Sequence, residues 1–294
     1  MNIFIIPSLI DNIYYIIASF TNRFEVYKST NEGNDSKPFK VFQFDKPIIH
    51  SFISKQMNYY TFELWVVFRD DDGTLRLTFI SFDPFNENLM EQSHGLSRYY
   101  IKQNDIICFA EQKDNILALG SFNRLVIINK SGQIANKQFE NEITAMKNTG
   151  KSVYIGFLNG VFAEYSIQTS SLNEIFKVDY PVTSIEYTSE ALYCGSLDGK
   201  LYVSYLSHIM LSHKKKVLEL DGSPIYSVFS AHSSDYPLIV LTRDGLNIIN
   251  PKMNRVQFYK LNSEIDSNNL FMAVNMDLAS IVVLNDYEFI IYSI

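Results

Sequence analysis

Ser152-Val153-Tyr154-Ile155-Gly156-Phe157-Leu158-Asn159-Gly160-Val161-Phe162-Ala163-Glu164-Tyr165 is two apolar runs split by Leu158-Asn159-Gly160. β-Branched and aromatic residues of this kind fit a pleated, half-buried surface. Asn-Gly supplies the positive φ that a tight hairpin needs. The stretch therefore reads as strand, turn, strand. Glu142-Ile143-Thr144-Ala145-Met146 before it and Glu174-Ile175-Phe176-Lys177-Val178 after it complete a unit of four strands. The same order returns ~40 residues further on, which is the mark of a repeat architecture. There Val182 to Tyr187 and Ala191 to Ser196 precede the turn Leu197-Asp198-Gly199, followed by Lys200 to Val203 and Lys216 to Leu220.

Further turns of this type are Ala18-Ser19-Phe20-Thr21-Asn22, Arg69-Asp70-Asp71-Asp72-Gly73, Gly120-Ser121-Phe122-Asn123-Arg124, Thr242-Arg243-Asp244-Gly245 and Leu284-Asn285-Asp286-Tyr287. They bring the count to seven units. Two polar stretches, residues 29–38 and 84–95, read as surface loops between third and fourth strands. A four-stranded unit cannot bury both faces alone, and stacking units around an axis buries them and protects their edges. The sequence thus predicts an all-β, seven-bladed β-propeller forming a single domain over residues 1–294. Gly-His and Trp-Asp dipeptides are lacking, so the repeats are of a divergent WD-repeat type or of another propeller lineage. Ile3 to Ser8 reads as the innermost strand of the first blade, which leaves nothing upstream to complete the last one. The last blade is therefore expected to be three-stranded: Asn269 to Asn275, Ser280 to Leu284 and Glu288 to Ser293, the last an edge open to a partner strand.

Composition narrows the function. Hydrophobic residues make up 47% of the chain and aromatics 14%, far above what disorder allows. A net charge of −7 gives no general attraction to nucleic acid. Cys108 and Cys194, both within apolar runs, read as buried thiols of a reducing, intracellular compartment. The N-terminus does not read as a secretory signal, and no apolar run reaches the ~18 residues that span a bilayer. A soluble protein of the nucleus or cytoplasm is expected. His50, His94, His208, His213 and His232 form no metal-ligand spacing with the cysteines. The acidic turn Asp70-Asp71-Asp72-Gly73 lacks the alternating ligands and final Glu of a calcium loop. With no nucleophile elbow or phosphate-cradling glycine loop, the expectation is a non-enzymatic protein with no cofactor and no metal.

Blade by blade, the order of features resembles the mitotic-checkpoint propeller family ("budding uninhibited by benzimidazoles") and its messenger-RNA-export sister at the nuclear pore. The resemblance is carried by Ile5-Ile6-Pro7-Ser8, Ile16-Ile17-Ala18-Ser19-Phe20, Lys46-Pro47-Ile48-Ile49-His50-Ser51-Phe52, Asn115 to Phe122 and Tyr193 to Lys200. It implies an adaptor in the nucleus, at kinetochores, that grips short linear motifs of a checkpoint kinase or kinetochore scaffold with aromatic residues of the second-to-third strand hairpins. Phe20 and Phe122 stand at those positions, where the family generally has Trp. It also implies a phosphothreonine-reading surface, to which Lys200 corresponds, whereas Thr183 stands where another basic residue is expected.

The candidate partner-binding residues are therefore the hairpin aromatics Phe20, Phe122 and Phe157. Each can serve as an exposed interface anchor or as packing between blades. Ser212-His213-Lys214-Lys215-Lys216 is the one concentrated positive charge, so Lys214, Lys215 and Lys216 join Lys200 as candidate phosphopeptide ligands. As an alternative, the three lysines protect an outer edge strand from aggregation. The rival function is a structural coat or nuclear-pore scaffold completed by a partner strand.

Overall fold

Ala191-Leu192-Tyr193-Cys194 is apolar at every position, the pattern of a strand with another sheet on each side. In the computed structural model of the chain, Ala191–Ser196 is buried along its whole length. Leu192 and Cys194 pack with the preceding sheet and Ala191 and Tyr193 with the following one. The structure describes residues 2–7, 13–30, 33–34, 37–56, 62–73, 75–82, 90–95, 109–113, 116–129, 132–206, 215–230, 238–250, 255–260, 271–275, 280–284 and 289–293. Among these residues there are twenty-eight strands, and no helix is long and apolar enough to cross a membrane.

The described strands form seven sheets, antiparallel and meandering in chain order. The first holds β1 (Asn2–Pro7), β2 (Ile13–Ser19), β3 (Arg23–Thr30), β4 (Gly33–Asn34) and β5 (Lys40–Gln43), with both β4 and β5 paired to β3. The second holds β6 (Ile48–Gln56), β7 (Phe62–Arg69), β8 (Leu75–Phe82) and β9 (Met90–Gly95). The third is β10 (Phe109–Lys113), β11 (Ile116–Ser121), β12 (Arg124–Asn129) and β13 (Gly132–Gln138). The fourth is β14 (Ile143–Asn148), β15 (Ser152–Phe157), β16 (Val161–Ser166) and β17 (Leu172–Lys177). The fifth is β18 (Val182–Tyr187), β19 (Ala191–Ser196), β20 (Lys200–Tyr205) and β21 (Lys215–Glu219). The sixth is β22 (Ile225–Ser230), β23 (Leu238–Thr242), β24 (Gly245–Asn250) and β25 (Arg255–Lys260). The seventh has three strands, β26 (Phe271–Asn275), β27 (Ser280–Leu284) and β28 (Phe289–Ser293).

Two compact units divide the chain: residues 1–116, 130–132 and 269–294 form one, and 117–129 with 133–268 the other. In the first unit β1 lies beside both β26 and β6. Its core joins Tyr15, Ile17, Phe24 and Val26 of the first sheet to Leu64, Val66 and Phe68 of the second. In the second unit β18 lies beside both β14 and β22. Sheets meet closely here because the penultimate residue of the second strand is a glycine. A Cβ on Gly156 would lie 2.4 Å from Val182 Cγ1, and one on Gly195 would lie 2.6 Å from Ile225 Cγ2. Lys147 Nζ also donates to Glu186 Oε2 at 2.9 Å, linking β14 to β18.

Three features depart from the sequence reading. Residues 84–95 are not one loop, because Met90–Gly95 forms β9 and pairs with β8. In the 29–38 stretch, β3 runs on to Thr30 and pairs back on Gly33–Asn34. An outermost strand is held through its backbone on one side only, so it shows little of the apolar alternation that marks a buried strand. Thirdly, four first strands carry a bulge near their start, with Ile49, Thr144, Thr183 and Tyr226 as the extra residues. A bulge inserts one residue without breaking the apolar pattern, so it is silent in the sequence.

Candidate interaction surface

The hairpins between second and third strands are built on one plan. The first turn residue donates its backbone N–H to the residue before the sheet's first strand: Leu158 to Glu142 O at 2.9 Å, Leu197 to Pro181 O at 3.1 Å and Arg243 to Pro224 O at 3.0 Å. Gly160 and Gly199 close their turns at positive φ, donating to Phe157 O and Ser196 O. With the turn backbone fixed, the side chain of the first turn residue is left outside the sheet.

In three of the four second-unit hairpins that side chain is apolar, Arg243 being the exception. Leu158 is 51% exposed, Leu197 45% and Phe122, after the parallel string Gly120-Ser121, 50%. Tyr180, in the loop leading into β18, is also 50% exposed. Backbone contacts connect the row. Ile143 N–H donates to Phe122 O at 2.5 Å, one residue from the Glu142 carbonyl that holds Leu158. The Tyr180 carbonyl closely approaches Gly160, and Pro181 holds Leu197. The same end carries the exposed carboxylates Glu140, Glu142 and Asp179. Phe122 is held at φ 45°, the first central position of a two-residue hairpin loop. That position usually goes to glycine, and a bulky residue there stores about 1–3 kcal/mol of strain.

Beside Arg243, Asp221 anchors the sixth sheet's turn. Its carboxylate accepts from Thr242 Oγ1 at 2.6 Å, Ser223 Oγ at 2.7 Å and Asn247 Nδ2 at 3.3 Å. Partial burial pushes the Asp221 carboxyl upward, but these donors outweigh it and hold the group below its ordinary value.

The sequence candidates fare differently. Phe122 is half exposed. Phe157 is not an anchor: it is only 3% exposed and packs edge-on against Phe139 with ring centroids 5.3 Å apart. It is the last residue of β15, and a one-residue step along a strand exchanges faces, so its neighbour Leu158 is the exposed side chain. Phe20 is half-buried, with the Arg23 guanidinium 4.4 Å from its ring centroid.

Of the proposed phosphate ligands, Lys200 and Lys216 do not converge. Lys200 Nζ lies 2.9 Å from Asp198 Oδ2, and that carboxylate raises the lysine above its ordinary value. β21 pairs Lys216 with Val203 and Glu219 with Lys200. Positions 200 and 203 lie on opposite faces of β20, so Lys200 and Lys216 do too. Lys215 pairs through its backbone with Ser204, and Lys214 lies outside the described residues. Thr183 is the bulge residue of β18, and its hydroxyl has no hydrogen-bond partner among the described residues. Cys194 is a buried thiol, whereas Cys108 lies outside the described residues. Among the described residues no group of three His, Cys, Asp or Glu side chains is placed to hold a metal ion.

Leu158, Leu197 and Tyr180 were not singled out in the sequence. Their signal was positional: Gly156-Phe157-Leu158 and Gly195-Ser196-Leu197 align with Gly120-Ser121-Phe122.

No protein-family model and no curated protein matches the chain. Its fold is similar to the crystal structure of the computationally designed Ika8 protein, with a TM-score of 0.61 and 17% identity, covering 97% of this chain and 81% of that one. At that identity the likeness speaks to the all-β fold alone.

Proposed function

We propose that the chain is a non-catalytic interaction module, a divergent WD-type propeller whose seven sheets are its blades, and that it docks short partner segments on the hairpin end of its second unit. The meander within each sheet supports the propeller reading, as does the position of β1 beside both β26 and β6. One observation carries the docking reading: Phe122, Leu158 and Leu197 occupy one turn position in three successive sheets and remain about half exposed. Protruding apolar anchors of this kind are where binding energy concentrates. Glu140, Glu142 and Asp179 favour a partner segment with apolar anchors flanked by Lys or Arg.

The adaptor of a mitotic-checkpoint complex is the specific form of this reading, and it rests on the sequence resemblance. Selection of peptides from a random display library tests the docking surface. Enriched peptides should pair apolar anchors with basic residues, and Leu158→Asp with Leu197→Asp should weaken them at least about tenfold, the scale of a lost hot spot. Peptides that bind the double variant equally well would place the surface elsewhere. The coat-scaffold alternative draws on the three-stranded seventh sheet, where β28 pairs only with β27 among the described strands.

A further inference from the structure

A second site lies in the first unit. Between the first and second sheets is a cleft of about 360 Å³, within the ~300–1,000 Å³ range of small-ligand pockets. Phe44 and Phe68 form an apolar wall, with ring centroids 5.2 Å apart. Phe68, Arg76 and the buried Thr78 share one face of the β7–β8 pair, since Phe68 is opposite Arg76 and Val66 opposite Thr78. On the rim, Lys46 Nζ and Arg76 Nε both donate to Asp70, one to each carboxylate oxygen. Burial alone would raise the Asp70 carboxyl, but these two cations hold it below its ordinary value.

Two cations on one half-buried carboxylate leave donors to spare. Among the described residues the Arg76 guanidinium contacts Asp70 through Nε, which leaves the two terminal nitrogens of its planar fork as donors on a residue that lines the cleft. The Lys46 ammonium contributes one of its three protons to Asp70. Asp70 and the exposed Asp45 balance Lys46 and Arg76 in charge, so an incoming monoanion meets less repulsion than a phosphate dianion.

We infer that this cleft binds a carboxylate carried on an apolar body, with the carboxylate bridging Lys46 and Arg76 and the apolar group lying against Phe44 and Phe68. A peptide C-terminus with an apolar last side chain and a free small acid share that chemistry. Both can be tried on the full chain by NMR titration, following the Arg76 side-chain Nε–H. N-acetyl-Gly-Gly-Phe should give a saturable shift, and its C-terminal amide should bind at least about tenfold more weakly, the scale of a lost charge-assisted pair. Arg76→Gln, read on the Gly73 backbone amide because the Arg76 reporter is gone, and, independently, Lys46→Met should each weaken the acid about fivefold or more. If 3-phenylpropionate binds as tightly as the tripeptide, the ligand is a free small acid; if it is about tenfold weaker, the peptide C-terminus is the ligand. Equal binding of acid and amide, or no saturable Arg76 shift with either acid, would overturn the assignment.

Discussion

The turn after β7 and the turns after β15 and β19 are tied down alike and dressed differently. Arg69 donates its backbone N–H to Pro47 O at 3.2 Å, just as Leu197 donates to Pro181 O. Gly73, like Gly160 and Gly199, sits at positive φ. Yet the first-unit turn carries Arg69 and Asp70 and closes an ionic cleft, whereas the second-unit turns carry Leu158 and Leu197 and present apolar side chains to solvent. The lesson is that the backbone frame belongs to the repeat and the side-chain chemistry to the individual sheet. Function should therefore be separable from fold at these positions.

The strongest test of that separation strikes the frame. Gly156→Val puts side-chain atoms where Val182 already stands, and overpacking of this kind costs about 1–3 kcal/mol. Urea unfolding should show that loss in the variant, and the double variant with Val182→Ala should recover part of it, since the two positions share one contact. Unchanged stability in Gly156→Val would mean the fourth and fifth sheets do not key together through this pair.

Phe122→Gly addresses the side chain instead. Glycine relieves the positive-φ strain, so the melting temperature should hold or rise by the equivalent of ~1 kcal/mol, while peptides selected on the wild-type surface lose affinity. Calorimetry and titration must move in opposite senses. A fall in both would assign Phe122 to packing.

The extent to which the sequence announced all this follows from how each element is held. Strands β15, β16, β19 and β20 were legible because they are buried on both faces and bounded by Asn-Gly or Asp-Gly. β9 was not, since its sequence, Met90-Glu91-Gln92-Ser93-His94-Gly95, carries no apolar alternation. At the interaction surface Phe122 was found by residue type. For Phe157 residue type left anchor and packing both open, and position decides for packing, because the turn begins one residue later. The Asp198–Lys200 pair that occupies Lys200 forms across a turn, two residues apart, and is hidden until the hairpin is drawn.

Acid should separate the ionic from the apolar turn, with the smallest effect of the three tests. Asp70 has a folded pKa below its unfolded value of ~3.9. Its contribution to stability is therefore complete above about pH 4 and is lost as pH falls through the folded value. The turn of Leu158 and Asn159 contains no carboxylate. Below about pH 4 the Gly73 amide should lose hydrogen-exchange protection relative to Gly160, and Asp70→Asn should remove the difference in pH dependence. Parallel loss at both glycines would show that the two turns open together.

The close seating of Val182 on Gly156 also bears on how the chain assembles. Every hydrogen-bonded strand pair in the fourth sheet lies within residues 143–177, so that sheet can meander into place from its own segment alone. Its outer side then presents a shallow dimple at Gly156, wet until β18 arrives. Val182 is the first residue of that strand, so the start of the fifth sheet finishes the fourth, as Ile225 at the start of the sixth finishes the fifth. During synthesis, assembly would advance sheet by sheet toward the C-terminus, with the newest one always the least finished. A nascent chain emerged from the ribosome only as far as residues 178 to 181 would hold a hydrogen-bonded fourth sheet whose apolar flank is still waiting for its lid.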